Sequence, residues 1–316
     1  MAREKINEDL ILKAATLYYS HGLTQEKIAR KMGFSRPSVV RMLKQARDLG
    51  MVEIRITREL PKTVQLETRI ETILQDSSLR EVIVVESHDD EPQQAVARRA
   101  AEYLAQKLTV KDILGIGWSS TLMNVPDYLW PRAAQPQRVV QLGGYVGGIS
   151  SANAQDITQR IGHILNVPVE PLPAPVILKS REVRDSLLED PSIKNTLAWV
   201  GKCTIGLVGI GDVSAESTLV KAGYITAEER RLITEAGAVG DIQSHHYNIE
   251  GREITTPWQD RMISVDLDQL TRMENLVGAA AGASKARSLL GAIRSDILNT
   301  VIIDMPLARA LLKLIR

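Results

Sequence analysis

Five short apolar runs, Val82–Val85, Ile113–Ile116, Val139–Leu142, Ile205–Ile210 and Val301–Ile303, constrain the fold of this chain more than any other feature. A strand with one wet face alternates polar and apolar residues, whereas a strand covered on both faces reads as a continuous apolar run. Between these runs lie stretches with helical spacing, such as Ala95–Lys107, Asp156–Leu165 and Lys285–Ile293. The alternation predicts an α/β fold with a mostly parallel sheet sandwiched between helices. Several runs end in glycine-rich turns: Gly115-Ile116-Gly117, Gly143-Gly144, Gly209-Ile210-Gly211 and Gly237-Ala238-Val239-Gly240. In open sheets of this kind, ligands bind outside the carboxyl ends of the strands.

The first 58 residues have a different texture. Apolar residues from Asn7 to Ser20 recur at helical spacing, and His21-Gly22 ends that helix. Thr24 is a good N-cap for a second helix, and Ser35 can cap a third with Pro37 in its first turn, where a missing N–H does no harm. Counting from Gln25, a small residue falls at the fifth position (Ala29), glycine at the ninth (Gly33) and a β-branched residue at the fifteenth (Val39). Ala29 lets the two helices approach, Gly33 takes the turn between them, and Val39 packs at their crossing. This is the spacing of a helix-turn-helix, whose second helix enters a DNA major groove. The face opposite Val39 is expected to carry Arg36, Ser38, Arg41 and Lys44, with Gln25 and Lys27 near a helix N-terminus able to meet the DNA backbone. Arginine can read guanine with two hydrogen bonds, while lysine and serine more often hold phosphates. Val52–Ile56 alternates and is expected to form a wing strand.

Charge is distributed accordingly. The whole chain has 39 Lys and Arg against 38 Asp and Glu, but residues 1–58 hold 12 against 6. A basic head on a mildly acidic body points to a polyanion as partner of the head alone. At 316 residues the chain is long enough for two domains. Its one cysteine, Cys203, excludes an internal disulfide and any CxxC metal site, as expected for a reducing compartment. The adjacent His245 and His246 belong to an extended segment that would point them to opposite faces, and no further metal-ligand spacing accompanies them. No apolar run approaches the ~20 residues needed to cross a bilayer, and the charged N-terminus lacks the apolar core of a secretion signal, so a cytoplasmic location is expected. Leu66, Ile70, Ile73 and Leu74 form an amphipathic stripe after Pro61. It suits either an oligomerisation helix or packing on the chain's own body. The domain boundaries that follow are 1–58, 59–78 for the linking helix, and 79–316.

The head TQEKIARKMGFSRPSVVRMLKQARDLGMVEIRI resembles that of the SorC family of sugar-responsive transcriptional regulators. The body is similar too, through ILGIGWSSTL, VVQLGG, LPAP, LVGIGD, GAVGDI, and GASKARSLLGAI followed by VIIDMPLARALL, in the family's order over nearly the full length. The resemblance implies a winged helix-turn-helix joined to a Rossmann-like effector domain related to glucosamine-phosphate deaminase and ribose-phosphate isomerase. It also implies an oligomer, commonly a tetramer, whose grip on operator DNA responds to a phosphorylated sugar or polyol, with no cofactor. By position, Ser119, Ser120 and Thr121 match the family's phosphate-side loop, and Lys285 matches a lysine that pairs with the same phosphate. Asp241 matches an acidic position that accepts from sugar hydroxyls, and Gly143 and Gly144 would let ligand approach the main chain. The chain departs from the pattern at Ser119, usually glycine, and at Ala281 and Ala283, where the family often has glycine and a carboxylate. An enzyme reading, an isomerase or deaminase with Asp241 or a histidine as general base, is the alternative that the same fold permits.

Overall fold

The structure is a computed structural model that describes residues 7–54, 57–87, 91–131, 135–146 and 153–315. The chain divides between Leu60 and Pro61 into two compact units.

In the first unit, α1 (Glu8–Ala15) runs into a π turn at Thr16–Ser20, and α2 (Gln25–Met32) and α3 (Arg36–Asp48) follow. The expected caps are in place. Thr24 Oγ1 accepts from Lys27 N–H at 3.4 Å, and Ser35 Oγ accepts from Ser38 N–H at 3.3 Å. Gly33, with φ 73°, takes the left-handed conformation that closes α2. Ile11, Ala14, Ile28, Ala29, Val39, Met42, Leu43 and Ala46 form the core of this unit. Among the described residues, Val52, Glu53 and Ile54 are not part of a strand. Arg55 and Ile56, the rest of the expected wing strand, lie outside the described residues, as do Arg3 and Lys5 of the basic head.

The second unit begins with α4 (Lys62–Ile73). Among the described residues it then builds ten strands: β1 (Glu81–Val85), β2 (Ile113–Ile116), β3 (Arg138–Gln141), β4 (Val169–Glu170), β5 (Ile205–Gly209), β6 (Gly211–Asp212), β7 (Ala238–Ile242), β8 (His245–Asn248), β9 (Asn275–Ala280) and β10 (Thr300–Asp304). Seven of them form one parallel sheet in the order β1-β10-β9-β5-β2-β3-β4. Alternate residues of each strand feed two separate cores. Ile83, Leu114, Val139, Leu207, Val277 and Ile302 face one layer of helices. Val82, Ile113, Val140, Val208, Leu276 and Val301 face the other. This is the two-sided burial predicted from the continuous apolar runs.

One expected turn is corrected and one strand is added. Gly237–Gly240 does not end a strand of the main sheet. Only Gly237 has positive φ (93°), and Ala238 opens β7, which pairs antiparallel with β6 and β8 in a small second sheet. The sheet also contains a central strand, β9, that its alanines and glycine hid.

The stripe on α4 packs on the chain's own body. Ile70 is wholly buried beside Val82 and Val84, with Leu66 and Leu74 packed against the same cluster. The edge of the sheet at β1 is closed by two glutamates one helical turn apart: Glu71 accepts from Val82 N–H at 2.9 Å and Glu67 from Val84 N–H at 2.8 Å. Side chains thus take the place of a neighbouring strand and leave these two donors unavailable for edge-to-edge pairing. Ile70→Ala is expected to destabilise this unit by about 2–5 kcal/mol, read as a lower urea midpoint. Ile73→Ala, at a position 41% exposed, leaves the midpoint nearly unchanged.

Candidate functional site

Each unit presents one candidate surface. On α3 the buried side is Val39, Met42, Leu43 and Ala46, so the helical period turns Arg36, Val40, Arg41 and Lys44 to solvent, and all four are exposed. Ser38 is different. Its hydroxyl lies 2.8 Å from that of Ser35 and its N–H is capped by the same oxygen, so it is half-buried in the helix start rather than displayed with the cations. Lys27 is exposed on the first turn of α2, and Gln25 is half-buried beside it. The sequence reading missed Val40, which is 46% exposed in the middle of the cationic face. Its methyl groups are the kind that meet a thymine methyl in a major groove.

The second surface is a partly open cavity of about 120 Å³ at the carboxyl ends of β2 and β5. Strand order reverses here: from β2 the chain moves through β3 to β4 on one side, and from β5 through β9 to β10 on the other. The two connections part and leave a crevice, as at the switch point of any doubly wound sheet. Trp118, Ser119 and Ser120 line it from the turn after β2, Gly209 to Asp212 from the end of β5, and Lys285 from the late glycine turn. Asp241 and Gln243 reach it from the β7–β8 hairpin, and Arg230 from the helix Ala227–Glu235.

Close approach fixes this arrangement. A methyl on Gly209 would lie 2.3 Å from Ser119 Cβ, and one on Gly211 would lie 1.9 Å from Asp241 Oδ1. Ser119 Oγ accepts from Leu122 N–H at 3.0 Å and so anchors its own turn. Lys285 donates to the Ile210 carbonyl at 2.8 Å, which draws the ammonium against the end of β5. Burial pushes the Lys285 pKa down, and Asp212 and Asp241 oppose that shift. Burial pushes Asp241 up, while His246, the N–H of Ser244 and Lys285 favour its ionised form. Asp241 is half-buried and lines the cavity.

The sequence-predicted residues sort into two groups. Ser119, Ser120, Asp241 and Lys285 meet on the cavity wall. Thr121, Gly143 and Gly144 do not line it. Thr121 is buried in the turn. At Gly144 a methyl would strike the Ala174 carbonyl and the Pro175–Val176 backbone at 2.6 Å, so its role is chain packing rather than ligand approach. Gly143 leaves space for Gln243 Oε1, which a methyl there would approach to 2.8 Å. Arg230 and Gln243 are wall residues outside every quoted motif; Asp212 ends LVGIGD and His246 belongs to the noted histidine pair, but neither was expected on the wall.

The two histidines point apart, as the extended segment requires. His245 places Nδ1 2.7 Å from Glu253 Oε1 and Nε2 2.9 Å from the Val265 carbonyl, a closed structural set. His246 faces the cavity, donates Nδ1–H to the Ser244 carbonyl at 3.1 Å and packs edge-on against Trp258. Among the described residues no cluster of three or more His, Cys, Asp or Glu could hold a metal ion. Buried Cys203 has its thiol pushed up to about 12 by desolvation, which leaves it a packing residue. Burial likewise lowers the pKa of His246, with Asp241 opposing. Below the ordinary imidazole value the unfolded chain therefore holds a proton that the folded chain does not, and stability falls as the pH drops. His246→Phe keeps a ring against Trp258 and is expected to lose this component. Its urea midpoint should gain on the parent's as the pH is lowered from 7.5 to 5.5.

Comparison with known proteins accords with this geometry. Residues 59–313 match the family model described as "Putative sugar-binding domain". The chain is 30% identical to the deoxyribonucleoside regulator of Bacillus subtilis (strain 168) over 98% of its own length and 99% of that protein. It is 28% identical to the transcriptional regulator LsrR of Enterobacter sp. (strain 638), covering 97% and 94%. The crystal structure of the full-length sorbitol operon regulator SorC from Klebsiella pneumoniae superposes with a TM-score of 0.74 at 26% identity, covering 96% of this chain and 99% of that one. These relatives are regulators rather than isomerases or deaminases, which sets the enzyme alternative aside. With a helix-turn-helix at one end, a ligand-sized cavity at the switch point of the other unit and this match over both, the chain belongs to the SorC family of sugar-binding transcriptional regulators.

Proposed function

We propose that the protein is a sequence-specific regulator of a carbohydrate-metabolism operon, and that a small phosphorylated sugar or polyol in the cavity controls its hold on DNA. The observation that carries this reading is the cavity itself, where hydroxyls (Ser119, Ser120), carboxylates (Asp212, Asp241) and cations (Arg230, Lys285) converge in a chain whose other unit displays Arg36, Arg41 and Lys44 on one helix. Carboxylates suit the hydroxyls of a sugar, and cations with hydroxyls suit a phosphate. Arg36 and Arg41 would read bases, while Lys44, Lys27 and Gln25 would hold the backbone. One helix-turn-helix covers one half-site, so specific binding calls for at least a dimer. The tetramer common in the family meets that need. A DNA target and the lack, among the described residues, of any helix long and apolar enough to cross a membrane are in keeping with a cytoplasmic site of action.

Fluorescence anisotropy on labelled DNA from upstream of its own operon, with and without a panel of sugar and polyol phosphates, tests the reading. Binding is expected to be sequence-dependent, salt-sensitive and altered by one panel member. Arg41→Ala should lose about 1–3 kcal/mol of specific affinity, and Lys44→Ala should weaken binding to all sequences and lower the salt slope by about one. Lys285→Ala should keep operator affinity and lose the response to ligand. Full operator affinity in Arg41→Ala, or a normal response in Lys285→Ala, would refute the corresponding assignment.

A further inference from the structure

One polar side chain on the cavity wall is left without a partner of any kind. Gln243 is 3% exposed, and neither its Oε1 nor its Nε2 has a hydrogen-bond partner. A buried amide in this condition costs stability, because both polar ends have left water and gained nothing in exchange. Its surroundings are nevertheless shaped to hold it. A methyl on Gly117 would lie 1.9 Å from Nε2 and one on Gly143 would lie 2.8 Å from Oε1, so the chain omits side chains after both β2 and β3 where the amide sits.

The backbone is constrained in the same sense. Gln243 (φ 52°) and Ser244 (φ 71°) are the two connecting residues between Ile242 and His245, which face each other across β7 and β8. A two-residue turn with both φ values positive usually draws on asparagine, aspartate and glycine. This one holds glutamine and serine in the left-handed region at some conformational cost. Trp118, on the same wall, also has a buried indole N–H without a partner.

We propose that Gln243 is the residue that selects among effectors, by receiving two adjacent oxygens of the ligand on its amide. One oxygen accepts from Nε2 and its neighbour donates to Oε1. Vicinal hydroxyls fit this pairing, because each hydroxyl can both donate and accept. Lys285 only donates and an ionised carboxylate only accepts, whereas the amide offers both functions at a fixed spacing. A site that has spent buried polar groups on a hydroxyl rejects the analogue lacking it, since those groups are then left unpaired. The inference rests on the cavity being the effector site.

Gln243→Met tests it, because methionine matches the side chain in length and volume and lacks its polar ends. Without ligand, thermal unfolding of the full chain should shift up by about 2–4 °C, since an unpaired amide has been removed. A downward shift would mean that the amide holds the fold together, and would overturn the proposal. Calorimetric titration then uses ribose 5-phosphate, glucitol 6-phosphate and erythritol 4-phosphate, each beside a monodeoxy analogue lacking one hydroxyl of an adjacent pair. The parent protein is expected to prefer one of these compounds over its deoxy analogue by about tenfold or more, and Gln243→Met to bind the two alike. Lys285→Ala serves as the contrast, weakening compound and analogue equally while keeping their ratio. If Gln243→Met keeps the parent's ratio, the selector role is wrong and the effector site stands. If the parent protein binds no member of the panel, the effector reading fails and the selector role falls with it.

Discussion

Strands β2 and β5 lie side by side in parallel, with Leu114 opposite Ile205 and Ile116 opposite Leu207, and the chain leaves their ends in opposite directions. Because the two connections part at this pair, no main chain covers the sheet end between them, and a polar pocket can exist there without disturbing either core. The pairing itself needs backbone to come close. A methyl on Gly115 would meet Leu142 at 2.7 Å, and one on Gly206 would meet Leu276 at 2.6 Å and the Met273 sulfur at 2.7 Å. Glycine within these central strands lets neighbouring side chains lie directly on the sheet. Glycine at their ends lets Ser119, Asp241 and Gln243 close in on one small volume.

This arrangement was legible in the sequence to the extent that its signals were local. The bounds of β2 match the apolar run Ile113–Ile116 residue for residue; β1 and β5 differ from their runs by one residue at one end, β3 lies one residue earlier at both ends, and β10 gains one residue on each side. Caps at Thr24 and Ser35 were readable because their chemistry acts over three residues. Strand β9, Asn275-Leu276-Val277-Gly278-Ala279-Ala280, was not. Small residues that let Leu298 and Ile210 crowd against Gly278 also erase the bulky β-branched signature of a strand. The β7–β8 hairpin was hidden for a related reason: Gln243-Ser244 makes a turn usually announced by Asn-Gly, and nothing in those two letters encodes left-handed backbone.

The candidate site divides along the same line. Ser119, Ser120, Asp241 and Lys285 sit in motifs whose order along the chain could be matched to a family. Arg230, Gln243 and His246 lie outside those motifs and reach the wall only through tertiary placement, and Asp212 sits in one without having been marked as a site residue. Position alone put Gly144 at the ligand, whereas its Cα packs on the Ala174–Val176 backbone and its N–H donates to the Ile263 carbonyl at 3.0 Å. A motif records where a family is constrained without saying whether ligand or packing imposes the constraint.

The unpaired groups on the wall bear on how such a cavity could drive a switch. A ligand moves an equilibrium between two conformations only by binding one of them better, and only by that difference. The sheet is held by backbone pairing from β1 to β4, and Glu71 and Glu67 take the Val82 and Val84 edge donors, so filling the cavity changes little there. On the cavity wall, Gln243 and Trp118 have buried polar atoms without hydrogen-bond partners, and burial of Asp241 and Lys285 opposes their mutual attraction. Pairing a single buried amide or indole is worth about 1–3 kcal/mol, and an allosteric coupling of about 1–3 kcal/mol changes affinity at a second site by 5–150-fold. The two ranges coincide. One or two hydrogen bonds that a ligand makes to such groups in only one of two conformations therefore supply enough differential free energy for regulation.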